Sequence, residues 1–202
     1  MKNIPARPPM YEPLGLAYLA AYAREQGHAP IILDCVAEGW QNKTRIGDLV
    51  RVGLSDQAIA DRIREIQPDV VGITCMFTGF EGDAKRVAAL AKESAPQAPV
   101  IVGGADATFQ AATHIHDPNI DLIIRGEGEV VLAQVLDHYA KTGALPVDLP
   151  GTVVGETLNP LADLIDDLDS LPFPARDLIP MATYMEDQTQ LMPYAKRTPI
   201  GF

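Results

Sequence analysis

Val100 to Val102 are three consecutive strand-forming residues that run straight into Gly103-Gly104 and a short turn, Ala105-Asp-Ala-Thr-Phe109. A strand ending in paired glycines brings bare backbone to the carboxyl edge of a sheet, where a large group can approach without side chains in its way. In open α/β sheets that edge is where ligands bind. The pattern recurs at Val70-Val-Gly-Ile-Thr-Cys-Met-Phe-Thr78 and again at Leu122-Ile-Ile-Arg-Gly-Glu-Gly-Glu129. Three successive strand ends with small residues predict a broad, flat ligand lying across one sheet edge.

Helical periodicity fills the intervals. Leu14 to Gln26 reads as a helix stopped by Gly27, and it is apolar on nearly every face, so it is expected to be covered on both sides. Ser55 caps a helix whose Ile59, Ile63 and Ile66 form one stripe. Further helices are predicted over Asp83 to Ala95, near Thr108 to His114, and over Glu127 to Lys141 with Gly143 as its stop. Strands are predicted at Ala29 to Asp34, Val70 to Cys75, Val100 to Val102 and Leu122 to Arg125. Met1 to Pro13 is a proline-rich loop, and Gln41 to Leu54 reads as polar and irregular. Strands alternating with helices of this length give an α/β class, a doubly wound parallel sheet of flavodoxin-like layout.

The character changes after Pro146. Gly151-Thr-Val-Val-Gly-Glu-Thr157 suggests a small hairpin, and Leu171-Pro-Phe-Pro-Ala-Arg-Asp177 is too proline-rich for regular structure. The chain therefore divides into a ligand-binding domain over 1–145 and a hairpin with a linker or docking arm over 146–202. Domains of this layout normally begin with an apolar strand central in the sheet, and here only Met1 to Ile4 precede the first proline, Pro5. Either a stub strand at Lys2 to Ile4 or a neighbouring chain completing the sheet by self-association is expected.

Acidic residues outnumber basic ones 27 to 16, for a net charge of −11, and no Lys/Arg cluster occurs. That disfavours nucleic acid as a partner. No apolar run approaches the roughly 20 residues that span a bilayer, and no signal peptide is seen, so a cytoplasmic location is expected. Cys35 and Cys75 read as small core residues in a reducing compartment. His114 and His116 lie in one predicted loop with no third ligand near them in sequence, which argues against a metal site. No serine sits at a strand-to-helix elbow.

The combination resembles the cobalamin-binding domain that precedes a radical S-adenosylmethionine core, in the group that includes anaerobic magnesium-protoporphyrin cyclases and corrinoid-dependent methylases. The residues that carry the likeness are Pro8-Pro9, Pro13-Leu-Gly-Leu-Ala-Tyr-Leu-Ala20, Gly27-His28 leading to Asp34, Pro68-Asp-Val-Val-Gly-Ile73, Gly103-Gly104, Gly126-Glu-Gly-Glu129 and Leu168-Asp-Ser-Leu-Pro-Phe-Pro-Ala-Arg-Asp177. The last looks like the segment joining the two domains. Gly72 to Thr78 and Gly103 to Thr108 are also similar to the cobalamin-tail loops of methionine synthase. The resemblance implies a base-off cobalamin whose tail is hydrogen-bonded by Thr74 and Thr78 and passes the glycine pair. Its contacts would fall on Pro9, Tyr11 and Leu14, on Thr74, Met76, Phe77 and Thr78, on Gly103, Gly104, Ala105 and Asp106, and on Gly126, Glu127 and Gly128.

Three departures shape the expectation. Asp34-Cys-Val-Ala-Glu-Gly39 has the spacing of the Asp-x-His-x-x-Gly loop of the corrinoid mutases, but Val36 holds the histidine's place. The segment also follows the second predicted strand rather than the first. The matching loop, Pro5 to Leu14, contains no histidine, so no protein imidazole is expected on cobalt. Asp106 stands where the radical family often has histidine. Finally, two isolated cysteines cannot form the three-cysteine loop that holds an iron–sulfur cluster. The cluster and S-adenosylmethionine therefore belong to a core absent from this chain, a methyltransferase or cyclase, and the chain alone is expected to be inactive. The alternative is a stand-alone receiver or flavin-binding module, for which Asp34 is the one matching acidic residue.

Overall fold

A computed structural model describes residues 11–185. Its main sheet has five strands in the order β3 (Val71–Thr74), β4 (Val100–Gly103), β5 (Leu122–Ile124), β6 (Thr152–Val154) and β7 (Thr157–Leu158). β3, β4 and β5 are parallel, whereas β6 and β7 are an antiparallel hairpin added to the far side of β5. The sheet is thus mostly parallel, and the hairpin expected at Gly151 to Thr157 is an integral part of it.

Alternation within each strand decides which helix it meets. Val100, Val102 and Ile123 face α3 (Asp56–Ile66) and α4 (Glu81–Ser94), against Ile59, Ile63, Ala84, Ala88 and Ala91. Ile101, Leu122 and Ile124 point the other way, onto Val131 and Val135 of α7 (Glu129–Thr142). Helices on both faces explain why these strands are apolar throughout rather than alternating. Each fully buried Val, Ile or Leu contributes about 1.5–3 kcal/mol, enough to make this block the stable centre. Ser55 caps α3 by accepting from the Ala58 amide, and Gly143 ends α7 in the left-handed conformation. Among the described residues no helix is long and apolar enough to cross a membrane.

α1 (Leu14–Glu25) is covered from two directions, as its all-round apolar character predicts. One side lies on α7. The other receives the late arm, which docks on its own domain: the Ala175 amide donates to the Ala17 carbonyl at 3.0 Å, and Ala20, Ala21 and Ala175 pack together. Arg176 binds Glu12 at 2.7 Å, and Arg24 binds Asp177 at 2.7 Å. Ile179 and Tyr184 then enter a buried cluster with Ala17, Ala37 and Trp40, where the Tyr184 hydroxyl donates to Asp34.

Two local expectations differ from the structure. Residues 29–34 form no ladder; they lead into a short helix, α2 (Cys35–Glu38), because the Asp34 carboxylate accepts from the Val36 and Ala37 amides and turns the chain. Residues 43–52 are not irregular but a hairpin, β1 (Lys43–Ile46) and β2 (Leu49–Val52), turning at Gly47 with φ +59°. All four residues of β1 are exposed, so no period-two apolar pattern existed to reveal it. The expected strand at Lys2 to Ile4 lies outside the described residues.

Candidate ligand-binding edge of the sheet

The parallel strands bring the three small-residue ends to one carboxyl edge. Thr74 at the end of β3 pairs in register with Gly103 at the end of β4. Past β5, the Gly126 amide donates to Thr108 Oγ1 at 3.0 Å, and Thr108 itself donates to the Gly104 carbonyl at 2.9 Å. The loops after β4 and β5 are thereby fastened together.

The two glycines of the pair have different reasons to be glycine. Gly104 has φ +105°, and a Cβ there would lie 2.6 Å from the Cys75 carbonyl oxygen, so the chain's own packing requires it. That is a reason for glycine independent of any ligand. At Gly103 a Cβ would have nothing nearer than 3.8 Å, and at Gly72 and Gly126 nothing within 4 Å. Gly103 closes β4 with only ordinary contact to Ile124, Gly126 lies just past β5 facing open space, and Gly72, also open, sits one residue into β3 rather than at its end.

Around that space the edge carries apolar side chains that water would not select. Met76, Phe77, Phe80 and Phe109 are 50%, 65%, 57% and 88% exposed, and Tyr11, just ahead of α1, is 80% exposed. Phe77 and Phe80 meet edge to face, with centroids 5.9 Å apart. Leu14 begins α1, and Ala105 and Asp106 open α5 (Ala105–Phe109). Glu127 accepts from the Ile165 amide at 2.6 Å, which ties it to the arm, and Gly128 leaves room for Leu19 of α1. Pro9 lies outside the described residues.

Beneath the edge lies a polar hub that the linear reading missed. Asp106 is buried at 5% exposure and accepts four hydrogen bonds. Oδ1 takes Thr78 Oγ1 at 2.7 Å and Gln110 Nε2 at 2.7 Å; Oδ2 takes His114 Nε2 at 2.8 Å and Cys75 Sγ at 3.5 Å. These donors, Thr78 foremost, hold its carboxyl well below the usual carboxylate range. His114 closes α6 (Ala111–His114) fully buried, whereas His116 is exposed, so the two do not form a pair. Its other ring nitrogen, Nδ1, is buried with no partner among the described residues.

Cys75, Asp106 and His114 do place three potential ligand atoms within 4.8 Å, which sequence proximity concealed. Burial and the neighbouring carboxylate push the Cys75 thiol up to about 11, which suits a hydrogen-bond donor rather than a metal-binding thiolate. A signal for the hub was present: Asp106, Gln110 and His114 recur every fourth residue, the spacing of one helical face.

A family model described as the B12 binding domain matches residues 7–136. The chain is 30% identical over 217 residues to cytidylyl-2-hydroxyethylphosphonate methyltransferase of Streptomyces wedmorensis, spanning 94% of this chain and 40% of that protein. It is 35% identical to an uncharacterized methyltransferase of Pyrococcus horikoshii over 87% of this chain and 36% of the relative. The chain thus spans about two fifths of these relatives or less. In fold it superposes on the cobalamin-dependent S-adenosylmethionine radical enzyme OxsB, solved with aqua-cobalamin, with a TM-score of 0.70 at 18% identity, over 90% of this chain and 24% of that one.

Proposed function

The chain belongs to the B12-binding domain family, and from that premise we propose that it holds cobalamin across the carboxyl ends of β3, β4 and β5 as the cofactor-carrying part of a cytoplasmic radical S-adenosylmethionine enzyme, a methyltransferase or a cyclase. The observation that carries the placement is the room left at Gly103 and Gly126, at and just past the ends of β4 and β5, next to exposed Thr74, Met76 and Phe77 at and after the end of β3. A broad ring system fits such a shelf, and its apolar face would cover side chains that are otherwise costly to expose. A stand-alone receiver or flavin module leaves both features without a use.

Bound cobalamin supplies a cobalt that can carry a methyl group or an electron. This chain's part is to bind and orient it. Thr74 and Thr78 offer hydroxyls at the strand end, Gly103 leaves the backbone approachable, and Met76 and Phe77 exclude water from the apolar side. His114 is buried against Asp106 and His28 is bound to Asp137 on α7 at 3.1 Å, so both imidazoles are already engaged within the chain. The iron–sulfur cluster and S-adenosylmethionine would reside in a separate core.

The test is direct. The purified protein is mixed with hydroxocobalamin, desalted, and its visible spectrum recorded. Stoichiometric retention with a base-off spectrum supports the reading. Loss of all colour on desalting contradicts it.

A further inference from the structure

We infer that Thr78 reads an N–H or O–H donor on the bound cobalamin, and that Asp106, backed by Gln110, is the positioning residue that makes the Thr78 hydroxyl an acceptor. The inference rests on the cofactor assignment above and adds a chemical identity to one contact.

An ionised carboxylate can only accept, so the 2.7 Å contact between Thr78 Oγ1 and Asp106 Oδ1 consumes the single hydrogen of the hydroxyl. The hydroxyl oxygen has two lone pairs, and Gln110 Nε2 donates to one of them at 3.2 Å. Gln110 cannot be turned round, because its carbonyl oxygen would then face the Asp106 carboxylate; both amide hydrogens are spent, one on each neighbour. Asp106 is in turn saturated, with His114 and Cys75 on its other oxygen, and has no free position for a ligand. What remains at the exposed Thr78 is one outward lone pair.

Such a group accepts and cannot donate. With a buried negative charge directly behind it, it repels a phosphate oxygen and attracts a donor. Cobalamin carries two kinds: the side-chain amides of the corrin ring, and the ribose hydroxyl of its nucleotide tail. The tail's phosphate is excluded from this position.

The experiment titrates parent, Thr78→Val, Thr78→Ser, Asp106→Asn and the Thr78→Val/Asp106→Asn pair with hydroxocobalamin and with cobinamide, which lacks the nucleotide, following the visible spectrum. Thr78→Val is expected to weaken hydroxocobalamin by roughly tenfold, one hydrogen bond's worth, and Thr78→Ser to stay within about twofold of the parent. Asp106→Asn should also weaken binding, and the paired variant should be no worse than Thr78→Val alone, because Asp106 acts through that hydroxyl. An equal loss with cobinamide identifies a ring amide as the donor; a loss with hydroxocobalamin alone identifies the ribose hydroxyl. Should Asp106→Asn fail to fold, Gln110→Ala replaces it in the same comparison. Unchanged affinity of Thr78→Val for both ligands, or additive losses in the paired variant, overturns the inference while leaving the cofactor assignment standing. A parent that binds neither ligand overturns both.

Discussion

The carboxyl edge of the sheet and the groove along α1 are both lined by small residues, yet they end up opposite in character. At α1, Ala17, Ala20 and Ala21 are covered by Ala175, Ile179 and Tyr184 of the chain's own arm, and ion pairs Arg176–Glu12 and Arg24–Asp177 close the seam. At the edge, a Cβ on Gly103 would meet only ordinary contacts and one on Gly126 nothing, and aromatic side chains stand in water. Small residues therefore mark two different things: a surface already occupied by the chain and a surface kept for something else. What separates them is whether a Cβ would find a neighbour.

The sharpest break of that comparison lies within one dipeptide. Gly104→Val must force a β-branched residue into φ +105° and against the Cys75 carbonyl. Strain and overpacking together cost on the order of 3 kcal/mol, and melting should fall by about 6–12 °C. Gly103→Val, one residue earlier, should melt within about 2 °C of the parent, since added β-propensity offsets the little that is lost. Its cost should appear instead in hydroxocobalamin affinity, weakened at least tenfold (~1.4 kcal/mol). Equal melting of the two variants would dissolve the distinction between fold glycine and ligand glycine.

On the occupied side, Tyr184→Phe removes the donor to the buried Asp34 carboxylate. A hydrogen bond to a charged group is worth about 1.5–3 kcal/mol, so the urea midpoint should drop while cobalamin affinity stays as in the parent. Arg24→Ala opens an exposed ion pair, and its melting curve should overlay the parent's.

A smaller effect sharpens the picture of the core. Cys35 and Cys75 ionise at about 11 in the fold against 9.0 when unfolded, in both cases because burial disfavours the thiolate. Between those values the fold holds protons the unfolded chain has released, so stability falls as pH rises from 9 to 11. Urea midpoints measured across that range should decline, and Cys35→Ala should flatten the decline.

How much of this was legible in the sequence follows from where each contact lies along the chain. β4 and β5 are continuous apolar runs because both faces are buried, and Gly103 and Gly126 sit at and just past their ends. The edge could be read from those runs alone. The hairpin at 43–52 could not, since β1 exposes all four side chains and its apolar pattern carries no period. The arm looked partnerless because its anchors are Ala175 and the ion pair from Arg176 to Glu12, 164 residues apart, and neither leaves a periodic trace. Asp106 was placed in the site by position and resemblance; Gln110 and His114 share its helical spacing, but that its carboxylate is also spent on Thr78 and Cys75 emerges only when β3 and β4 lie side by side.

Amide hydrogen exchange with and without hydroxocobalamin tests the central claim most directly, because it reads both regions in one sample. Protection on binding is predicted over residues 74–79, 103–110 and 126–128, with no change across α1 or the arm at 175–184. Protection confined to α1 and the arm, with the three strand ends exchanging as before, would contradict the account.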